Sequence, residues 1–210
     1  MPHYNREEVD RRLARIRDQY APRFEHENVE LTPEGFDRLA EQAASGYTGG
    51  GYAWVVRDEP PPLSESMPEV DEAYPRVLLA LGRDDDGWGP AGGGREDPAS
   101  GSPDSADEPN EADAETYEEA AVREVREETG VECAIEDCRR VRRTTFEPAE
   151  PTDEDGESVV YTLWVFFTAR EVGGSIDVQE SELNGAAWFH DLPADLHWSV
   201  EGDPWSWAEW

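Results

Sequence analysis

The sequence predicts an α/β protein, with a mixed central sheet between helices and a helical extension at the N-terminus. Three observations predict it. Apolar runs of strand length recur at 52–56, 76–81, 159–167 and 186–189. Two amphipathic segments with capping signals precede them, at 5–20 and from Thr32 onward. Between the second and third runs, a glycine-rich stretch is followed by a strongly acidic helix.

In chain order, Asn5 is placed to cap the first helix, with Glu8 completing a capping box; Val9, Leu13, Ile16 and Tyr20 form its apolar stripe. Thr32 and Pro33 occupy the N-cap and N1 positions of a second helix, which turns Phe36, Leu39 and Ala43 inward. This extension, residues 1–47, would cover one side of the core, mediate a homodimer or shape a pocket. Residues 48–200 form the main domain. Within it, 58–75 is a loop carrying Pro60, Pro61 and Pro62, and 84–87 is an acidic turn. Residues 92–97 read Gly-Gly-Gly-Arg-Glu-Asp, a turn whose glycines admit close approach of a ligand. Residues 98–113, rich in Pro, Ser, Asp and Glu, form an acidic, disordered insertion.

The acidic helix then runs from about 114–116 to Thr129, with Tyr117, Ala121 and Val125 on its apolar side. Residues 133–146 make one or two strands. Their arginines, Arg139, Arg140, Arg142 and Arg143, would either meet substrate phosphates or balance neighbouring carboxylates. After the 159–167 strand come the 186–189 strand and a short helix near 192–196. The tail, 201–210, continues a tryptophan-rich stretch (Trp198, Trp205, Trp207, Trp210) expected to dock on the core or on a partner.

Glu124, Glu127 and Glu128 stand at i, i+3 and i+4, on one helical face, and Gly130 sits where a left-handed C′ residue is expected. A salt-bridged surface helix, with Arg123 pairing Glu119 and Glu127, accounts for the charges. It does not account for their order. Three carboxylates on one face repel unless a cation lies among them, and a hard, oxygen-preferring divalent ion, Mg²⁺ or Mn²⁺, fits that donor set.

The order Arg123-Glu124-Val125-Arg126-Glu127-Glu128-Thr129-Gly130-Val131, with Glu115 eight positions before Arg123, resembles the Nudix hydrolase box Gly-x5-Glu-x7-Arg-Glu-U-x-Glu-Glu-x-Gly-U. The first half of the box aligns at residues 93–97 only when the insertion is removed. The resemblance implies a Nudix-like α/β/α sandwich. It implies that Glu124, Glu127, Glu128 and the carbonyl of Gly92 bind Mg²⁺ or Mn²⁺, that Arg123 orients the cluster by pairing with Glu115, and that Glu127 helps activate water. Gly93, Gly94 and Glu96 would contact substrate; Glu115 and Gly130 are the structural box positions. The implied activity is a metal-dependent pyrophosphohydrolase, acting on a nucleoside diphosphate linked to another group, ADP-ribose-like or a nucleotide. Pro148 lies near the distance after the box that the ADP-ribose subgroup uses, and Trp88, Phe146 and Tyr161 are candidates for stacking on a base. Two other readings stay open: an inactive Nudix-fold ligand-binding or regulatory module, and an isopentenyl-diphosphate-isomerase-like enzyme that would place Cys133 in its pocket.

Composition narrows the setting. Net charge is −32, from 50 acidic and 18 basic residues, and every basic residue is Arg. Such a surface suits a cytoplasmic protein of a salt-rich, haloarchaeal-type cell, where the Debye length falls to about 3 Å at molar salt. It argues against a nucleic-acid duplex as partner. No apolar run is long enough for a membrane span, and the N-terminus lacks a signal-peptide core. Cys133 and Cys138 are too few for a disulfide framework, and the four histidines are scattered.

Overall fold

A computed structural model of the chain describes residues 5–60, 73–83, 85–95, 115–149, 158–202 and 204–207. Its elements are α1 (Arg6–Gln19), β1 (Arg23–Leu31), α2 (Pro33–Ala44), β2 (Gly49–Arg57), β3 (Arg76–Gly82), β4 (Ala91–Gly94), α3 (Tyr117–Thr129), β5 (Val131–Pro148), β6 (Val160–Gly174), β7 (Leu183–Phe189) and α4 (Trp198–Glu201). The strands form one seven-stranded mixed sheet, in the order β1-β5-β6-β2-β3-β7, with β4 paired to β2. β1 runs parallel to β5, whereas β3 is antiparallel to both β2 and β7. The expected α/β class with a mixed sheet is therefore what forms. The 98–113 insertion, Glu96 and the 152–157 turn lie outside the described residues.

The chain packs as two compact units. The first comprises Met1–Gly51, Gly93–Ala120 and Asp137–Phe167. In it, α1 buries Val9, Leu13 and Ile16, the expected stripe. Asn5 precedes α1 without a side-chain cap bond. Its amide instead donates to the carbonyls of Tyr47 and Tyr161 at 3.0 and 2.8 Å and accepts from Tyr161 N at 3.0 Å, while Glu8 takes Arg11 as its partner. A buried Asn gains more from three tertiary bonds than from one local cap. α2 starts as read, with Thr32 Oγ1 accepting from Gly35 N at 3.3 Å. Its Phe36, Ala40 and Ala43 pack with Val160, against which Leu39 and Phe146 are partly buried.

Residues 23–31, read from sequence as part of a helical extension, form strand β1. The register sets Glu25 opposite Arg142 and Glu27 opposite Thr144. Glu25 accepts from Arg142 at 3.4 Å and lies 3.6 Å from Arg140. Arg143 meets Asp10 at 2.9 Å and lies over the Tyr161 ring; Arg140 lies over Phe166. Of the two roles open to the arginines, charge balance is the one these contacts support. Cross-strand ion pairs make a strand of a segment whose charged residues hid its alternation.

α3 begins at a reciprocal cap. Glu119 N donates to Thr116 Oγ1 at 3.2 Å, and Glu119 Oε2 accepts from Thr116 N at 2.8 Å. The Thr116 amide is the first cause holding the Glu119 carboxyl below its ordinary pKa. Nearby, buried Arg95 donates to the Glu115 carbonyl and to Thr48 Oγ1, and Tyr117 OH donates to the Thr48 carbonyl. Burial pushes the Tyr117 hydroxyl up to about 12. Thr116→Ala is expected to cost about 1 kcal/mol, read as a lowered Tm at fixed salt; an unchanged Tm would show that the cap contributes nothing.

The second unit comprises Tyr52–Gly92, Ala121–Glu136 and Thr168–Trp210. Ala53, Trp54, Val55, Val56, Val77, Leu78 and Leu79 are buried in it. Trp205 is buried against Trp54, with ring centroids 5.7 Å apart, and Trp207 donates to the His190 carbonyl at 2.8 Å. Those two indoles dock on this unit, and Trp198 stays exposed. The helix expected near 192–196 is absent. Leu196 instead bridges Trp88, and the short helix α4 starts after His197, whose ring accepts from Ser199 N.

Candidate metal centre

The site lies wholly in the second unit and is built on the last turns of α3. Gly130 closes that helix at φ +75°, its N–H donating to the Arg126 carbonyl at 2.9 Å. A Cβ there would stand 2.5 Å from the Ser175 carbonyl oxygen, so glycine is required for both conformation and space. The carbonyls of Glu128 and Thr129, left unpaired by the helix, accept from Gln179 N at 2.9 Å and Asp177 N at 2.8 Å. These two bonds bind the segment ahead of β7 to the helix end and bring Glu182 with it.

Glu124, Glu128 and Glu182 each offer a carboxylate oxygen, and the three atoms lie within 4.8 Å of one another. Glu128 Oε2 accepts from Gly92 N at 3.2 Å. Burial raises the Glu124 carboxyl. Burial also pushes Glu128 up to about 7, and Glu124, Glu182 and Asp85 add repulsion against its one local relief, the Gly92 N–H. Glu124 and Glu128 are half-buried and Glu182 is exposed; carboxylates gathered at this spacing repel one another, and an all-oxygen set is of the kind that suits a hard cation such as Mg²⁺ or Mn²⁺.

The sequence-derived residues divide. Glu124 and Glu128 come together, and Gly92 reaches Glu128 through its N–H, not through the carbonyl that the resemblance assigned to the ion. Glu127 is not one of the converging three: its side chain is 55% exposed and accepts from Arg123 Nη1 at 3.1 Å. Arg123 also donates to Glu124 Oε1 at 2.9 Å, so it fixes one member of the cluster. Gly93 and Gly94 belong to strand β4 rather than to an open turn; a Cβ on Gly50 would stand 2.4 Å from the Gly93 carbonyl oxygen. Glu115 lies in the first unit, its carbonyl engaged by Arg95. Trp88 packs edge-to-face on Phe189 and Tyr161 is buried, which makes both structural. Glu182 was not legible: in a chain with 50 acidic residues, one glutamate in a loop carries no signal.

Beside the cluster opens a cavity of about 530 Å³, lined by Gly92, Glu128, Glu182, Asp85, Arg83 and His197 among others. His197 Nδ1 accepts from Ser199 Oγ at 2.6 Å, and its Nε2 faces Asp85 at 3.5 Å.

Fold and carboxylate group together define an α/β protein with a candidate hard-cation site. Residues 70–203 match the family model of the NUDIX domain, and the chain belongs to the Nudix family. Among solved structures it is similar to a UDP-X diphosphatase, at 18% identity and a TM-score of 0.39, covering 80% of this chain and 64% of that one. It is also similar to the E. coli ORF135 protein, at 19% identity and a TM-score of 0.33, covering 68% of this chain and 71% of that one. The chain thus spans less than two thirds of the diphosphatase. No sequence among the curated proteins matches the chain.

Proposed function

We propose that the protein is a divalent-cation-dependent hydrolase that cuts the diphosphate of a nucleoside diphosphate linked to another group. The observation that carries this reading is the convergence of Glu124, Glu128 and Glu182, the last two of which line the cavity. Glu124 and Glu128, one helical turn apart, would hold Mg²⁺ or Mn²⁺, with Gly92 beside them. Bound there, the ion would neutralise diphosphate charge and lower the pKa of a water molecule. Arg123 orients Glu124. Glu182, tethered to the helix end through its loop, lines the cavity, whereas Glu127 does not line it and is engaged with Arg123, so Glu182 is the better placed of the two to take the proton of that water. Glu127 then serves a further ion or Arg123. Glu182→Gln is accordingly expected to lower kcat by at least ~10²-fold and Glu127→Gln by less. The reverse order in steady-state kinetics would return water activation to Glu127.

The reading is tested by a hydrolysis screen in molar salt with Mg²⁺ or Mn²⁺, over ADP-ribose, nucleoside di- and triphosphates, dinucleoside polyphosphates and NADH. Cleavage of none of them would overturn it. The isomerase alternative loses support, because Cys133 is buried, does not line the cavity, and has a thiol pushed up to about 11 by burial. An inactive binding module has no feature in its favour, since no acidic position of the 123–131 motif is lost.

A salt-rich cytoplasm is part of the same proposal, on the strength of a −32 charge without lysine. Among the described residues no helix is long and apolar enough to cross a membrane. Dialysis from molar to millimolar salt is expected to abolish the near-UV circular dichroism; a retained spectrum would remove the salt requirement. A homodimer formed through the 1–47 extension would appear as a doubled mass by sedimentation.

A further inference from the structure

Arg83 follows β3 directly and is tied to the loop that carries Glu182. Its backbone N–H donates to the Glu182 carbonyl at 2.9 Å, and its Nε donates to the Glu180 carbonyl at 2.5 Å. Both bonds go to main-chain oxygens and consume no positive charge. The side chain is exposed and lines the cavity that Glu128, Glu182 and Asp85 also line. Among the described lining residues it carries the only permanent cation. With Nε anchored, the planar fork is oriented, and among the described residues its two terminal nitrogens bond to no other group. Two parallel N–H donors of fixed geometry match a phosphate better than any other common group.

The geometry points to Arg83 as the residue that grips a phosphate of the substrate in the cavity it shares with Glu128 and Glu182. This rests on the diphosphate reading above and adds to it a specificity-determining side chain outside the 123–131 motif. The carboxylates and their ion select for a phosphoryl group under attack; Arg83 selects for a second phosphate beside it. A monophosphate ester, which lacks that second phosphate, would gain nothing from the arginine. The bond from Arg83 N to the Glu182 carbonyl is main-chain, so it persists in every variant at this position.

The test uses the full chain in molar salt, with α,β-methylene-ADP as a non-hydrolysable probe and Ca²⁺ or Mg²⁺ present, titrated calorimetrically. Arg83→Gln is expected to weaken probe binding at least ~10-fold and to raise KM for the cleaved diphosphate by a similar factor, with kcat little changed. Arg83→Lys is expected to recover part of the affinity, and AMP binding is expected to be equal in wild type and both variants. Wild-type affinity for the probe in Arg83→Gln would overturn the assignment and leave the hydrolase reading intact. So would a fall in kcat at constant KM, which marks a residue that only positions the Glu182 loop. A wild-type protein that neither binds the probe nor cleaves a diphosphate would overturn both.

Discussion

Glu128→Gln is expected to lower kcat by at least ~10²-fold with saturating Mg²⁺, with unchanged circular dichroism. The substitution keeps the shape of the side chain and its bond from Gly92 N, but it removes one of three converging anionic oxygens. Glu124→Gln should act alike, since Glu124 shares the helical face and the cluster. Mn²⁺ resonance supplies an independent readout: wild-type protein should quench the signal of the free ion, and Glu128→Gln should leave most of it. Wild-type turnover in Glu128→Gln would end the assignment of this site to the ion.

The second large effect concerns stability without divalent ions. Burial raises Glu128 from 4.5 to about 7. The folded protein therefore holds this proton more tightly than the unfolded chain does. The stability that the proton confers is fully present below about pH 4.5 and is lost as pH rises through about 7. A shift of this size corresponds to roughly 3 kcal/mol. In chelator and at constant high salt, wild type should lose about that much relative to Glu128→Gln between pH 5 and pH 8. Adding Mg²⁺ at pH 8 should restore it in wild type alone, because the cation replaces the proton among Glu124, Glu128 and Glu182. Parallel pH profiles for the two proteins would mean that burial does not raise the Glu128 carboxyl.

What could be read in the chain was local. The i,i+4 spacing of Glu124 and Glu128 fixes their shared face wherever the helix lies, and Gly130 ends that helix for a reason internal to the backbone. The stripe of α1 and the Thr32 cap of α2 follow from the same short-range geometry. Short range also explains where the structure departs from that local reading. Asn5 reads as a cap until the Tyr47 and Tyr161 main chains offer it better partners. Glu127 reads as one of three equal carboxylates, and in the packed helix its side chain is exposed and paired with Arg123.

The sequence alone determined the α/β class, the acidic helix with its stop and the two carboxylates that face one way, because helical periodicity and capping act over a few residues. Only the tertiary structure decided that Glu182 joins them, that Arg83 shares their cavity and that residues 23–31 become a strand. Those outcomes depend on partners far off in the chain: the spare carbonyls of Glu128 and Thr129 that capture the 177–182 segment, and the arginines of β5 that meet the glutamates of β1. Long-range bonds of this kind leave no period in a sequence.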